Sequence, residues 1–321
     1  RNTAIATCLF FSILFSTNYS LGDTIEFSVA QKATYKELVE KLQKRHYSKF
    51  KYDQELASLH VTRYFQKLDP GKLYFNRADL DKFILLQKKR SGKFEDLETS
   101  QSIEIFNIFK ARVKKRLDGL LQVLSSYISQ MDFTRDEYLN TDLEDRNWAN
   151  NNEILNDHWR KHIKNQVLSL KLTDKSLSDI TDLLRKRYER QLTSIEQYNS
   201  MDIFGLYTNA LTELYDPHTK YMSPRSSENF NINMSLSLEG IGALLMQEEE
   251  YTKVQRLISA GPAEKQGELK PSDRIVGVGQ DLHGPVDDVI GWRLDDVVQL
   301  IRGPKGTTVR LEIIPANIKR K

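Results

Sequence analysis

The feature that most constrains this chain is a change of period. From about Ala33 to Tyr221 apolar side chains recur every three or four residues, the spacing that lines one face of an α-helix. In "YKELVEKLQKRHY", Tyr35, Leu38 and Leu42 form one such stripe on an otherwise charged helix. The spacing returns in "ELASLHVTRYFQKL", "QSIEIFNIFKARVKKRLDGLLQVLSSYI", "LNDHWRKHIKNQVLSL" and "LSDITDLLRKRYERQLTSIEQY". After "DPHTKYMSPRSSENF" the period falls to two. A chain that switches period once cannot be one helical bundle or one sheet, so the fold class is multidomain, with an α-helical N-terminal domain followed by a small α+β domain.

Turn residues divide the helical part at Asp69-Pro70-Gly71, at Ser91-Gly92 and in "TDLEDRNWANNNE". They predict several antiparallel helices. In the second part "NMSLSLEGIGALLMQ", "YTKVQRLI", "DRIVGVGQ" and "TTVRLEIIP" read as strands, and "DDVIGWRLDDVVQLIRG" as an amphipathic helix. Gly261-Pro262-Ala263 opens a short helical segment, with proline in a favoured first-turn position. With 47 Lys and Arg against 44 Asp and Glu the net charge is only +3, so no electrostatic footprint calls for nucleic acid. Basic runs such as Lys114-Lys115-Arg116 follow helical spacing and read as solvated faces.

The one long apolar run, Ala4 to Ser16, is short for a bilayer span but suits the core of a secretory signal. Ser20-Leu21-Gly22 supplies small residues for a peptidase, so we expect a signal over 1–22, cleavage near Asp23, and no stable membrane span afterwards; an uncleaved anchor is the alternative. The only cysteine, Cys8, lies inside that run, and an exported chain without disulfides fits a bacterial periplasm.

The residues with the sharpest chemistry are Gly240 and Gly242, in "SLSLEGIGALL". Glycine inside a strand adds no packing and marks a bulge or a close backbone approach. In a domain that binds a guest peptide by strand addition, consecutive backbone amides of the loop before the exposed strand hold the guest's C-terminal carboxylate. Side chains would block that carboxylate, and the loop needs positive φ. Gly240, Ile241, Gly242 and Ala243 fit that role, with the amides of Ile241, Gly242 and Ala243 as donors.

On these residues, 235 to 317 resemble a PDZ domain, whose carboxylate loop reads Gly-Leu-Gly-Phe or a relative of it. The resemblance implies a peptide groove formed by Leu245 and by a helix in "WRLDDVVQLIRG", with Leu294, Val297, Val298 and Ile301 as its apolar wall. Ala243 departs from the large fourth residue, and Glu239 sets a negative charge beside the loop. Taken with "AGPAEKQGELKPSDRIVGVG" and "DVIGWRLDDVVQLIRGPKGTTVRLEI", the loop resembles the PDZ domain of tail-specific, or carboxyl-terminal-processing, serine proteases. "LDPGKLYF" and "DPHTKYMSP" resemble segments of the long periplasmic members, which carry a helical domain ahead of the PDZ domain.

We therefore expect a signal over 1–22, a helical domain over 23–225, a PDZ domain over 226–317, and at 318–321 the start of a connection to a catalytic domain. The resemblance implies that apolar C-terminal tails of proteins are bound and processed, that a lipoprotein adaptor docks on the helical domain, and that peptide docking gates activity. It implies no cofactor and no metal. The family cuts with a serine nucleophile and a lysine base C-terminal to the PDZ domain. No Ser or Lys of 1–321 stands in a matching motif, so no catalytic residue is assigned. A truncated protease is the first reading, and a non-catalytic envelope protein that binds C-termini is the alternative.

Three further groups read as structural. His158 and His162 have the spacing of a two-histidine metal pair, but Trp159 stands where a zinc protease has its glutamate, and no third ligand is near. Asp216-Pro217-His218-Thr219 with Ser223 reads as a capped turn rather than a catalytic triad. Trp148, Trp159 and Trp292 read as packing residues, with Trp292 beside the groove helix.

Overall fold

A computed structural model of the protein describes residues 25–90, 97–143, 145–235 and 240–316. The expected signal at 1–22, the Ser91-Gly92 turn, Glu239 and the connection at 318–321 lie outside the described residues.

Among the described residues seven helices build the first domain: α1 (Val29–Arg45), α2 (Gln54–Leu68), α3 (Arg77–Arg90), α4 (Leu97–Ser129), α5 (Asn152–Lys171), α6 (Leu177–Glu196) and α7 (Ser200–Tyr215). Polar caps fix where they start. Asp53 accepts the amides of Glu55 and Leu56 at the head of α2. Ser28 with Gln31, and Asn199 with Asp202, form capping boxes that open α1 and α7. The apolar stripes meet in one core, where Tyr64, Phe65, Phe106, Leu117, Phe204 and Tyr207 are almost completely buried. Helices α2 and α7 pack together at its centre.

Between α2 and α3 the "LDPGKLYF" turn is organised by one carboxylate. Asp69 is buried, and it accepts the backbone amides of Leu73 at 2.9 Å, Tyr74 at 2.7 Å and Phe75 at 3.0 Å. Three backbone donors of the irregular connection, buried away from water, are satisfied by two oxygens. Phe75 can therefore enter the core beside Phe65, with ring centroids 4.5 Å apart.

Helix α8 (Pro224–Ser235) links the domains. It corrects the strand expected from Asn233 onward, because residues 233–235 are helical and the strand begins only at Ala243. The second domain then runs β1 (Ala243–Glu248), β2 (Tyr251–Leu257), α9 (Pro262–Gln266), β3 (Arg274–Gln280), β4 (Val286–Asp288), α10 (Leu294–Ile301) and β5 (Val309–Ile314). Strand β3 is central. β5 pairs along one side of it, and β2 and β4 share the other, all antiparallel. Among the described residues β1 pairs only with β2 and forms an edge. The segment expected as one helix from Asp287 to Gly303 is shorter, for β4 takes its first residues and the helix covers only Leu294–Ile301. A separate core of Val254, Ile275, Val278, Val289, Val297 and Ile301 holds this domain together.

No helix among the described residues is long and apolar enough to cross a membrane.

A candidate peptide groove

The loop at 240–243 is shaped by backbone contacts. Gly240 has φ +151° and Gly242 φ +75°, conformations that side chains disfavour. A Cβ on Gly242 would lie 2.9 Å from the Cα of Gly261 and 3.1 Å from Pro262 Cδ. What approaches the second glycine is therefore the turn before α9. The glycines also precede the strand instead of interrupting it.

That approach orients the loop. The Ile241 carbonyl accepts from the Ala263 amide and the Gly242 carbonyl from the Ile258 amide, each at 2.8 Å. In a planar trans peptide the N–H points opposite to the C=O. With both carbonyls turned toward β2 and α9, the amides of Gly242 and Ala243 point the other way, off the free edge of β1. Two adjacent donors facing one space are what a carboxylate needs.

The space they face is a groove of about 590 Å³ between β1 and α10. Gly240, Ile241, Gly242, Ala243 and Leu245 line one side, and Leu294, Val298 and Ile301 the other. Val297 does not reach it. It is fully buried in the domain core, a quarter-turn away on α10, so its expected place in the groove wall is corrected. Along β1 the pleat turns Ala243 and Leu245 inward and leaves Leu244 and Met246 exposed.

Three polar residues at the groove escaped the sequence reading. Arg302, at the end of α10, lies beside the loop, with its Cγ 3.8 Å from where a Gly240 Cβ would stand. Its guanidinium donates to the Asn229 side chain on α8. Arg225, also on α8, donates from Nη1 to Asp296 Oδ1 at 2.6 Å. Arg302 had a sequence signal, a basic residue directly after the apolar stripe of "LDDVVQLI", whereas nothing in "PRSSENFNINMS" marks a groove wall.

The groove helix is also tied to the helical domain. Arg293, just before α10, donates to the Asp202 carboxylate with a shortest distance of 2.5 Å, and the Gln197 side chain donates from Nε2 to the Gly291 carbonyl at 2.9 Å. The carboxylate holds the Arg293 guanidinium above its ordinary pKa. Trp292 is 40 % exposed at this joint.

The other candidates stand apart from the groove. His162 Nε2 lies 2.6 Å from the Gln166 side-chain nitrogen, and burial pushes both His158 and His162 toward the neutral form. No cluster of three metal-ligating side chains occurs among the described residues. Asp216 accepts the His218 amide at 2.7 Å and the Tyr47 hydroxyl at 2.6 Å, and Ser223 accepts the Ser226 amide at the start of α8. Trp148 and Trp159 are buried in the helical core.

Comparison with known proteins agrees with this architecture. Residues 38–225 match the tail-specific protease N-terminal domain, and residues 224–314 match the PDZ domain. The tail-specific protease of Haemophilus influenzae is 36% identical over 276 residues, covering 86% of this chain and 39% of that protein. The carboxy-terminal processing protease CtpA of Bacillus subtilis is 33% identical over 139 residues, covering 43% of this chain and 28% of that protein. A crystal structure of the PDZ domain of the carboxy-terminal protease from Vibrio cholerae, in complex with peptide, shares 52% identity and covers 25% of this chain and 81% of that one, at a TM-score of 0.24. The chain thus spans about two fifths of the Haemophilus relative and under a third of the Bacillus one. With its helical half and its PDZ half both matched in order, the chain belongs to the tail-specific protease family.

Proposed function

We propose that this chain is the substrate-engaging portion of a periplasmic tail-specific serine endopeptidase, and that its PDZ domain captures the apolar C-terminal tails of protein substrates. One observation carries the reading: the amides of Gly242 and Ala243 point off the free edge of β1 into a groove with an apolar opposite wall. A guest strand adds to that edge, its terminal carboxylate meets the two amides, and its last side chain lies against Leu245, Val298 and Ile301. The small Ala243 leaves room for that side chain.

In this reading cutting belongs to a serine and a lysine C-terminal to the PDZ domain. The chain delivers tails and gates their entry, after export directed by residues 1–22. The helical domain offers the surface for a lipoprotein adaptor.

The test is a fluorescence-anisotropy titration of residues 23–321 with a labelled peptide ending in small apolar residues, beside the same peptide carrying a C-terminal amide. We expect micromolar binding that the amide weakens about tenfold, or about 1.4 kcal/mol. Equal binding of the two peptides would remove the carboxylate from the loop.

A further inference from the structure

Away from the groove, one corner of the helical domain carries charge that tail binding does not use. The run "KRHYSKFK" (44–51) ends α1 and turns toward α2, and it is strapped to the segment that follows α7. The Ser48 hydroxyl donates to the Tyr215 carbonyl at 3.1 Å, the Tyr47 hydroxyl to Asp216 at 2.6 Å and the Tyr215 hydroxyl to the Phe50 carbonyl at 3.0 Å. His46 Nε2 lies 3.1 Å from the Thr219 hydroxyl. These ties gather the exposed cations Lys44, Arg45, Lys49, Lys51 and Lys220 at one corner. Among the described residues only Lys44 of these forms an ion pair, with Glu40.

Two aromatic rings stand among the cations. Tyr47 is 75 % exposed and Phe50 49 %. Both are held in place: the Tyr47 ring lies against His46, with centroids 4.6 Å apart, and the Phe50 ring packs on Tyr215 at 5.8 Å. Between them Lys49 has φ +47°, where glycine would be free of strain, so the sequence keeps a cation on backbone that disfavours any side chain.

A short Lys- and Arg-rich run is the signature of a site for a polyanion, either nucleic acid or an acidic glycan. Export, as proposed above, leaves the glycan. The side chains agree with that choice. Exposed cations match acid groups, and flat rings fixed in place offer their negative faces to the C–H faces of sugars. The carboxylates of Glu40 and Asp216 keep lone pairs that accept from sugar hydroxyls. An anionic membrane surface would be repelled by those same carboxylates, and it favours apolar side chains free to insert over rings held flat.

We propose that this corner, 44–51 with 216–220, is a binding site for an acidic glycan whose sugars carry carboxylates, stacked on Tyr47 and Phe50 and paired with Lys49, Lys51 and Lys220. The choice of glycan over nucleic acid rests on the export in the reading above, and the site itself is independent of tail capture.

The experiment titrates residues 23–321 with a labelled hyaluronan octasaccharide, which carries a carboxylate on every second sugar. The comparators are an uncharged chitin oligosaccharide of the same length, a glutamate–glycine peptide and a DNA oligonucleotide of the same charge, and phosphatidylglycerol vesicles. Hyaluronan is expected to bind about fivefold more tightly than any of them, and to be released as salt screens the charges. Lys49→Gln combined with Lys51→Gln should weaken it about tenfold, or about threefold for each exposed charge pair. Tyr47→Leu, which keeps apolar bulk but loses the flat face, should weaken it about fivefold, whereas binding by insertion into lipid would survive that change. A melting temperature within about 2 °C of wild type shows that a variant is folded, and where Tyr47→Leu falls outside that range the lysine pair decides. Equal binding of the peptide, the DNA or the vesicles, hyaluronan binding that the folded variants leave unchanged, or no hyaluronan binding at all would overturn the inference. The acid and amide tail peptides, run on the same variants, report on tail capture separately.

Discussion

Asp69 and His60 show how single polar groups are accommodated inside the helical core. Asp69 serves three amides with two oxygens, so Asp69→Ala strands three donors in a buried turn. We expect a loss of about 3 kcal/mol in chemical denaturation, and a smaller one for Asp69→Asn, which keeps one acceptor. His60 is fully buried; its Nε2–H donates to the Tyr207 carbonyl at 2.8 Å, which leaves Nδ1 to accept the Tyr52 hydroxyl at 3.0 Å. Burial lowers its pKa to about 4. The unfolded chain, with an ordinary histidine near 6.5, takes up a proton that the folded one refuses. The stability this neutral ring contributes is therefore complete above pH 6.5 and is lost as pH falls toward 4, by about 3 kcal/mol. Thermal melts of wild type and His60→Gln between pH 7 and 4 should converge as the pH drops. Parallel curves would mean that His60 titrates normally. Neither role is legible in the sequence, where His60 is one polar residue in an amphipathic run and Asp69 looks like an ordinary turn aspartate.

Elements were legible where the residues of one face differ in kind from those of the other. α1, α2, α4, α5 and α6 each show a stripe in the sequence, because one side of each meets water. α7 carries the same spacing, with Ile203, Phe204, Tyr207, Ala210 and Leu211 on one buried face, but only Asp202 and Glu213 are charged on the rest of it, so the stripe is less sharply set off. α8 fails for another reason: in "PRSSENFNINMS" the apolar Phe230, Ile232 and Met234 alternate as in a strand, and the Asn and Ser residues favour caps and turns over helix interiors. β4 has three residues, too few for an alternation to show. The groove's glycines stood out because they break a pattern, whereas the partner that requires Gly242, the Gly261-Pro262 turn, is brought close only by the fold. α10 offers a direct test of which face does what. Val298→Glu should abolish tail binding at unchanged melting temperature, because Val298 lines the groove and is partly exposed. Val297→Ala should instead cost about 2 kcal/mol of domain stability with the groove wall intact, as read by melts beside the peptide titration.

At the scale of the whole molecule, the described residues form two cores with no residue in common, joined through polar contacts. Calorimetry should resolve two transitions. Arg293→Ala removes a partly buried ion pair and should lower the PDZ transition by about 4 °C while leaving the helical one in place. A single transition that moves as a unit would show the joint to be stronger than its polar character suggests. The joint also has a direction in time. Each residue that grips α10 or its flanks comes earlier in the chain, by 94 residues for Gln197, 91 for Asp202, 73 for Asn229 and 71 for Arg225. During synthesis N-terminal domains fold first. When α10 emerges, its seat already exists, so the groove is cast against a finished mould, and a lesion in the helical domain would be inherited as a misshapen groove even where every PDZ residue is correct.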